Sequence, residues 1–479
     1  MIALLLENWT VLISFLILLL GVFALRKLWL GALLALLFVL VSKAIVLQDL
    51  AFALLPFGSG FVISIELALL LFGAYLFYHT LYHSGHFTKF IEVNASFSSK
   101  LFVILILCLF MGSFMEGIAG FGIPAMLIAP LLLSLGFKPL TSIVLPLAAN
   151  TTAVTFGALG TPFKVGLGIY ESDSTVLHTL ILNSLPALVL PFLLAYIFSQ
   201  TEQTETNWKK DWKMLAGAGF SFTLPYFLTG LVSVEYPAVL AGFVGLVLFV
   251  SLFVAKSERP SAAFWLDTFY PYLILVLLLI LAKYFLSDYS WKIKDSIRPL
   301  SLYQPGLIFI LSSLVYLILI QKNRLWAQLF SQGKDTLLKT GKSMATIFLL
   351  VCFAQLIQGD LLQLINAHYM GLRETTKLLL NPLIGVTGSF VSGSATMSNL
   401  LLGNAIQADV TLGRNLPLLL ALLATGSAIG NAISLQNIIM VKSVVNQPLI
   451  GYAKLMKYNL LVVGFYVVLV IVLALLIRG

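Results

Sequence analysis

GSFMEGIAGFGIP, residues 112–124, decides how this chain is read. Four glycines, a proline and the carboxylate of Glu116 lie inside one of its most apolar regions, with nearly pure hydrocarbon on both sides (101–111 and 125–135). Gly and Pro weaken a helix, and a charge at membrane depth costs ~2.5–3.5 kcal/mol on insertion scales. Together they predict a helix broken near the middle of a bilayer. Such breaks survive only where protein or a watery cavity satisfies the freed backbone, and in transporters they mark substrate sites.

The surroundings agree. Of 479 residues, 60% are hydrophobic and 10% charged, against about 25% charged in soluble chains. The expected fold class is an all-α polytopic membrane protein. Apolar runs near 8–25, 28–48, 60–82, 101–135 (broken), 139–163, 176–199, 214–232, 236–255, 265–286, 303–320, 343–358, 379–405 (broken), 416–445 and 452–477 give about 12–14 transmembrane segments. The two broken segments are kinked spans or re-entrant hairpins. The net charge of +9 sits in short loops and reads as positive-inside topology, with no nucleic acid as partner. The two cysteines, Cys108 and Cys352, suggest neither a disulfide framework nor a metal site. Residues 8–25 read as a retained helix, since no basic segment precedes them and Arg26 and Lys27 follow.

Shifted by about 276 positions, the first broken segment meets GSFVSGSATMSNL, 388–400. Gly112, Ser113, Phe114, Gly117 and Ala119 each find their own kind. In the same register LAANTTAVTFGALGTPF (147–163) meets LATGSAIGNAISLQNII (423–439), 28–44 meets 304–320, and 179–200 meets 455–476. The chain is therefore expected to divide into an extra N-terminal helix (1–26), a first repeat (27–200), inserted helices and linker (201–302) and a second repeat (303–479). Arg26 and Lys27 put the start of the first repeat in the cytoplasm. The basic loop 321–342 (Lys322, Arg324, Lys334, Lys339 and Lys342 against Asp335) is expected there too. The second repeat then starts outside, which gives an inverted-topology repeat with two broken or re-entrant helices.

The chemistry follows the breaks. Pro124 suits the first turn of a new half-helix, and the backbone around Gly117, Gly120 and Gly122 can turn N–H groups into a cavity, where an anion is attracted. Ser392, Ser394, Thr396 and Ser398, beside Asn399, supply hydroxyls at the matching place. Each small residue alone reads as close helix packing; two clusters at matched positions read as a site. Glu116, the sole acid in either broken segment, is of the type that exchanges a proton near neutral pH when held out of water. It is the candidate for proton coupling, against a structural carboxylate satisfied by neighbouring N–H groups. Asn150, Thr151, Thr152 and Thr155, mirrored by Ser427, Asn431, Ser434, Gln436 and Asn437, form a second polar island that binds substrate or bridges helices.

Weaker features include His79, His83 and His86, read as interfacial rather than metal-binding. Glu66 is a candidate partner for Lys43, and Lys442 is expected to snorkel. Residues 326–342 read as an amphipathic surface helix. Walker A, nucleophile-elbow and zinc motifs are absent from the sequence, so neither an enzyme nor a cofactor is expected.

At these residues the chain resembles the L-lactate permease family. EGIAGFGIP (116–124) is similar to that family's E-G-x-A-G-F-G-x-P. GFKPL (136–140) and ANTTAVTFGALGTP (149–162) are similar to G-F-x-P-L and N-T-A-P-V-A-F-G-A-x-G-x-P. SGSATMSNLLLGN (392–404) and GNAISLQNI (430–438) are similar to T-G-S-D-T-S-S-N-x-L-F and G-K-M-I-S-P-Q-x-I. The resemblance implies a secondary carrier of lactate, glycolate and related 2-hydroxy monocarboxylates, driven by protons, in a bacterial cytoplasmic membrane. Glu116, Gly120, Gly122, Asn150 and Thr151 match it in the first half. Ser394, Thr396, Ser398, Asn399, Ser434 and Gln436 match it in the second.

The departures are specific. The family's Asp is Ala395 here, its Lys is Asn431, its Pro is Leu435 and an upstream Asn is Leu423. One acid and one base are gone together, which preserves neutrality. If that Lys met the substrate carboxylate, anion affinity now rests on helix N-termini and hydroxyls alone; if that Asp carried the proton, coupling now falls on Glu116 or fails. The sequence leaves open a divergent carrier of another small solute, sodium in place of the proton, a passive facilitator or channel, and a homo-oligomer.

Overall fold

A computed structural model of the chain describes residues 2–25, 27–49, 51–84, 99–120, 122–168, 172–254, 262–286, 288–292, 300–320, 325–369, 371–407, 415–447 and 449–478. Arg26, His86, Phe121, Lys322 and Arg324 lie outside them.

The described chain is almost entirely helical. In order the helices are α1 (Ile2–Phe23), α2 (Leu28–Leu47), α3 (Leu54–His83), α4 (Lys100–Ile104), α5 (Gly112–Ala119), α6 (Ile123–Ser134), α7 (Pro139–Ala149) and α8 (Gly157–Lys164). There follow α9 (Asp173–Glu202), α10 (Trp208–Gly230), α11 (Pro237–Phe253), α12 (Ala262–Leu286), α13 (Pro305–Ile320) and α14 (Leu325–Tyr369). The series ends with α15 (Glu374–Ser392), α16 (Ala395–Gln407), α17 (Leu416–Gly430), α18 (Leu435–Val445) and α19 (Tyr452–Ile477). Two-residue strands at Ser290–Trp291 and Leu300–Ser301 pair antiparallel.

Among the described residues, seven helical segments are long and apolar enough to cross a membrane. An eighth appears if α7 and α8, bent by 51°, count as one span. Five further apolar helices of 10–17 residues include α6 and α11. The protein is thus an all-α, multi-pass membrane protein. Helix starts pair off as Leu28 with Pro305, Ile123 with Ala395, Gly157 with Leu435 and Asp173 with Tyr452. These separations stay close to the 276-residue register of the sequence.

The chain packs as two units, neither continuous in sequence. The first holds residues 1–81, 277–370 and 442–454. In it α1 and α2 pack together and both lean on α14. Lys43 Nζ reaches Asp360 Oδ1 and the Leu356 carbonyl, each at 2.9 Å. Glu66 instead accepts from Gln304 Nε2 at 3.1 Å, so the Lys43–Glu66 pairing is replaced by two separate contacts. His79 is buried, stacked on Tyr75, with 3.0 Å between its Nε2 and the Tyr75 hydroxyl. Lys442 Nζ lies over the Tyr452 ring, 4.3 Å from its centre. The amphipathic stretch 326–342 and the following apolar run do not separate. One helix of 45 residues, α14, carries both, because neither Gly333 nor Gly341 breaks a run otherwise rich in good helix formers.

The second unit holds residues 82–276, 371–441 and 455–479 and carries the polar islands. Its most enclosed stretches lie within the spans 100–118 and 416–445, where residues 418–441 are all buried. Their polar groups are therefore shielded from lipid, as non-helical backbone at membrane depth requires. The first span runs through a π-helical stretch, Leu105–Met111, into α5. It stops at Gly120, whose φ of 65° and ψ of −155° belong to a region only glycine enters readily. Gly122, at φ 73°, turns the chain into α6, with Pro in its first turn.

A side chain at position 120 meets two obstacles, since its Cβ would also lie 2.8 Å from the Ala158 Cβ. Gly120→Ala is expected to destabilise the protein by about 2–4 kcal/mol. A fall in thermal midpoint in detergent checks this; an unchanged midpoint refutes the glycine requirement.

Candidate functional site

Four interruptions converge in the second unit. They are Gly120–Gly122, the stretch Asn150–Phe156 between α7 and α8, Gly393–Ser394 and the turn Asn431–Ser434. Each has a local cause. Gly393 at φ 72° ends α15, its N–H bonding to the Ser389 carbonyl at 2.8 Å. Ser394 opens α16, its hydroxyl accepting from the Met397 N–H at 3.4 Å. Ser434 does the same for α18, accepting from the Asn437 N–H at 3.5 Å. The stretch after the second interruption, at the start of α8, is kinked: Ala158, Leu159 and Gly160 all have positive φ, at 47°, 56° and 77°. A left-handed backbone costs a non-glycine residue about 1–2 kcal/mol.

Between them lie two cavities. The first is lined by Glu116, Gly120, Gly157, Ser394, Thr396 and Asn431, with Val154, Ala158, Pro162, Gly393 and Ala395 completing the wall. The second, smaller, is lined by Gly122, Asn150, Thr151, Asn431 and Asn437, with Ala125, Leu147, Val154 and Ala432. Among the described residues no Lys, Arg or His lines either.

Glu116 is 2% exposed and, among the described residues, is the sole acid on either wall. Its Oε2 accepts from Asn150 Nδ2 at 2.8 Å. Its other oxygen lies where a Cβ on Gly157 would come within 2.8 Å, so only glycine lets the carboxyl group sit there. The first turn of α16 leaves the N–H groups of Ala395 and Thr396 outside the helical ladder, beside the same cavity. A small carboxylate would find partial positive charge and a hydroxyl there.

The expected site residues thus divide by place. Glu116, Gly120, Ser394, Thr396 and Asn431 line the first cavity; Gly122, Asn150, Thr151 and Asn431 line the second. The others lie off both walls. Gly117 packs on α11, where a Cβ would come within 2.5 Å of the Val239 nitrogen. The Thr152 hydroxyl meets that of Tyr466 at 3.0 Å. Ser392 bonds with Ser394 across its own turn. Ser398 joins helices through the Gly385 carbonyl and the Ser427 hydroxyl, at 3.1 and 2.8 Å. Asn399 Nδ2 donates to the Pro162 carbonyl at 3.0 Å. Ser434 caps α18, and Gln436 backs onto Gly393. Gly157, Ala158 and Pro162 were not singled out from sequence as lining residues. Small apolar residues carry no chemical signal; their place follows from the bend between α7 and α8.

The L-lactate permease family model matches residues 9–285 and 259–478. The chain belongs to that family. A relative in Haemophilus influenzae that carries the family name is 28% identical over 386 residues, covering 69% of this chain and 71% of its own length. The L-lactate permease of Streptococcus iniae is 25% identical, covering 64% and 69%. Glycolate permease GlcA of Escherichia coli K12 is 31% identical over 221 residues, 44% of this chain and 38% of that protein. Within this L-lactate permease family member the two departures meet. Ala395 and Asn431 line one cavity, with Ala395 in an apolar cluster with Val154 and Ala428. Asn431 Oδ1 accepts from Asn437 Nδ2.

Proposed function

We propose that this protein is a secondary carrier of small 2-hydroxy monocarboxylates, of the lactate and glycolate type, in a bacterial cytoplasmic membrane. It works by alternating access and uses the proton as coupling ion. Its two halves form an inverted repeat. The observation that carries this reading is Glu116, a buried acid on a cavity bordered by three helix breaks and by the N-terminus of α16. Relatives named for L-lactate and glycolate support the substrate class. The substrate carboxylate would lie against the α16 N-terminus and the hydroxyls of Ser394 and Thr396, and Glu116 would take and release the proton.

Uptake of labelled L-lactate into proteoliposomes tests this. Accumulation stimulated by an inward proton gradient, saturating and showing counterflow, is the expected result. Saturation and counterflow also separate a carrier from a channel. No uptake by folded protein, with or without the gradient, overturns the substrate class.

The missing base favours a second reading, a carrier for another small solute. With no cation on either wall, a neutral solute fits without an uncompensated charge. A solute screen that displaces no lactate separates the two.

A further inference from the structure

The second cavity has a chemistry of its own. Asn150 is 6% exposed, and its Oδ1 meets no hydrogen-bond donor among the described residues. Its orientation is not free. An ionised carboxylate accepts only, so against ionised Glu116 the Asn150 amide turns its Nδ2 to the acid, and its oxygen then faces away. Asn437 is fixed in the same way. Its Nδ2 donates to the Asn431 carbonyl and to Asn431 Oδ1. Its Oδ1 lies toward Gly122, where a Cβ would approach it to 3.2 Å. The Thr151 hydroxyl gives its proton to the Ala148 carbonyl at 3.1 Å and also lies beside the Tyr466 hydroxyl, which leaves it one lone pair. Three buried side-chain oxygens on this wall are thus held as acceptors. The Asn431 Nδ2 is the side-chain donor at the boundary of the two cavities.

The backbone adds to this. Helix α7 ends at Ala149 and α17 at Gly430, and the lining residues Asn150, Thr151, Asn431 and Ala432 follow directly. Two helix C-termini, of 11 and 15 residues, bring partial negative charge to this space. The first turns of α6 and α18 line it too, at Gly122, Ala125 and Asn437, and offset that charge, so the side-chain oxygens decide what the wall prefers. A wall on which three neutral side-chain oxygens accept suits a cation. With no carboxylate on it, it does not suit a divalent metal, which draws in charged oxygens.

We infer that the second cavity is a binding site for a monovalent alkali cation, with Asn150 Oδ1, Asn437 Oδ1 and the Thr151 hydroxyl as ligands. The inference goes beyond the carrier reading and does not depend on it. Asn150 joins the cation to Glu116, one end of its amide in each site.

The test reads binding, not uptake, so its failure is distinct from failure of the carrier. Purified protein in detergent is titrated with sodium chloride against choline chloride at constant ionic strength, by calorimetry and by thermal midpoint. Saturable binding and a raised midpoint with sodium alone are expected. Asn437→Ala and the isosteric Thr151→Val are each expected to weaken binding about tenfold, one ligand's worth. Wild-type protein that shows neither heat nor shift holds only water there, and the inference fails. It fails equally if both variants, folded in choline, bind sodium as the wild type does. Should a variant not fold, the wild-type titration still decides.

Discussion

Glu116→Gln is expected to abolish the response of uptake to an imposed pH gradient while leaving counterflow of labelled lactate intact. The substitution keeps the shape of the side chain and a carbonyl oxygen to accept from Asn150 Nδ2. It removes only the exchangeable proton. Counterflow needs binding and reorientation, not net proton movement, so its rate should stay within about threefold of wild type, the effect of losing well under 1 kcal/mol. Gradient-driven accumulation should fall to the level reached without a gradient. Thermal stability should not fall, because a neutral amide is cheaper than a carboxylate at 2% exposure. Uptake in this variant still driven fully by the gradient would remove Glu116 from the coupling mechanism. Loss of counterflow from folded protein would make it a structural carboxylate.

The second expectation concerns the two family positions that share the first cavity, Ala395 and Asn431. Ala395→Asp alone adds a second acid to a wall that already holds Glu116, and it displaces an alanine packed on Val154 and Ala428. Two carboxylates near an anionic substrate repel it, and lactate uptake should fall at least about tenfold. Ala395→Asp combined with Asn431→Lys restores neutrality and offers an ammonium to the substrate. A hydrogen bond to a charged partner is worth ~1.5–3 kcal/mol, so KM for lactate should drop about tenfold or more. An unchanged KM would show that position 431 does not face the substrate. Lactate uptake by the double variant alone, with none by wild type, would establish that these departures changed the substrate.

The sequence showed the first break plainly, because glycines and a proline in hydrocarbon have few other readings. Gly120 and Gly122 carry the positive φ values that end one helix and start the next. Gly393 and Ser394 were legible for the same reason. The break between α7 and α8 was harder to read. The kink that follows it, in the first turn of α8, uses Ala158 and Leu159 in a left-handed conformation, and neither residue type signals a turn. Nor could the sequence divide the polar island. Asn150 and Thr152 stand two residues apart, yet one touches Glu116 and the other Tyr466. Which way each points is set by packing of α5, α7 and α19, distant in the chain. The Lys43–Asp360 pair spans 317 positions, and only the fold selects it over Glu66.

The discontinuous second unit has a consequence for biogenesis. A chain leaves the ribosome at about 5–20 residues per second, N-terminal segments first. Glu116 and Asn150 therefore enter the bilayer long before their enclosure is complete. Thr152 waits for Tyr466, 314 residues later, and the Ala432 carbonyl waits for Asn459. Both partners sit on α19, the last described helix. Until it inserts, a buried acid and its amide stand in a half-built unit. During synthesis they depend on the translocon, a chaperone or water for the contacts that the finished protein supplies itself.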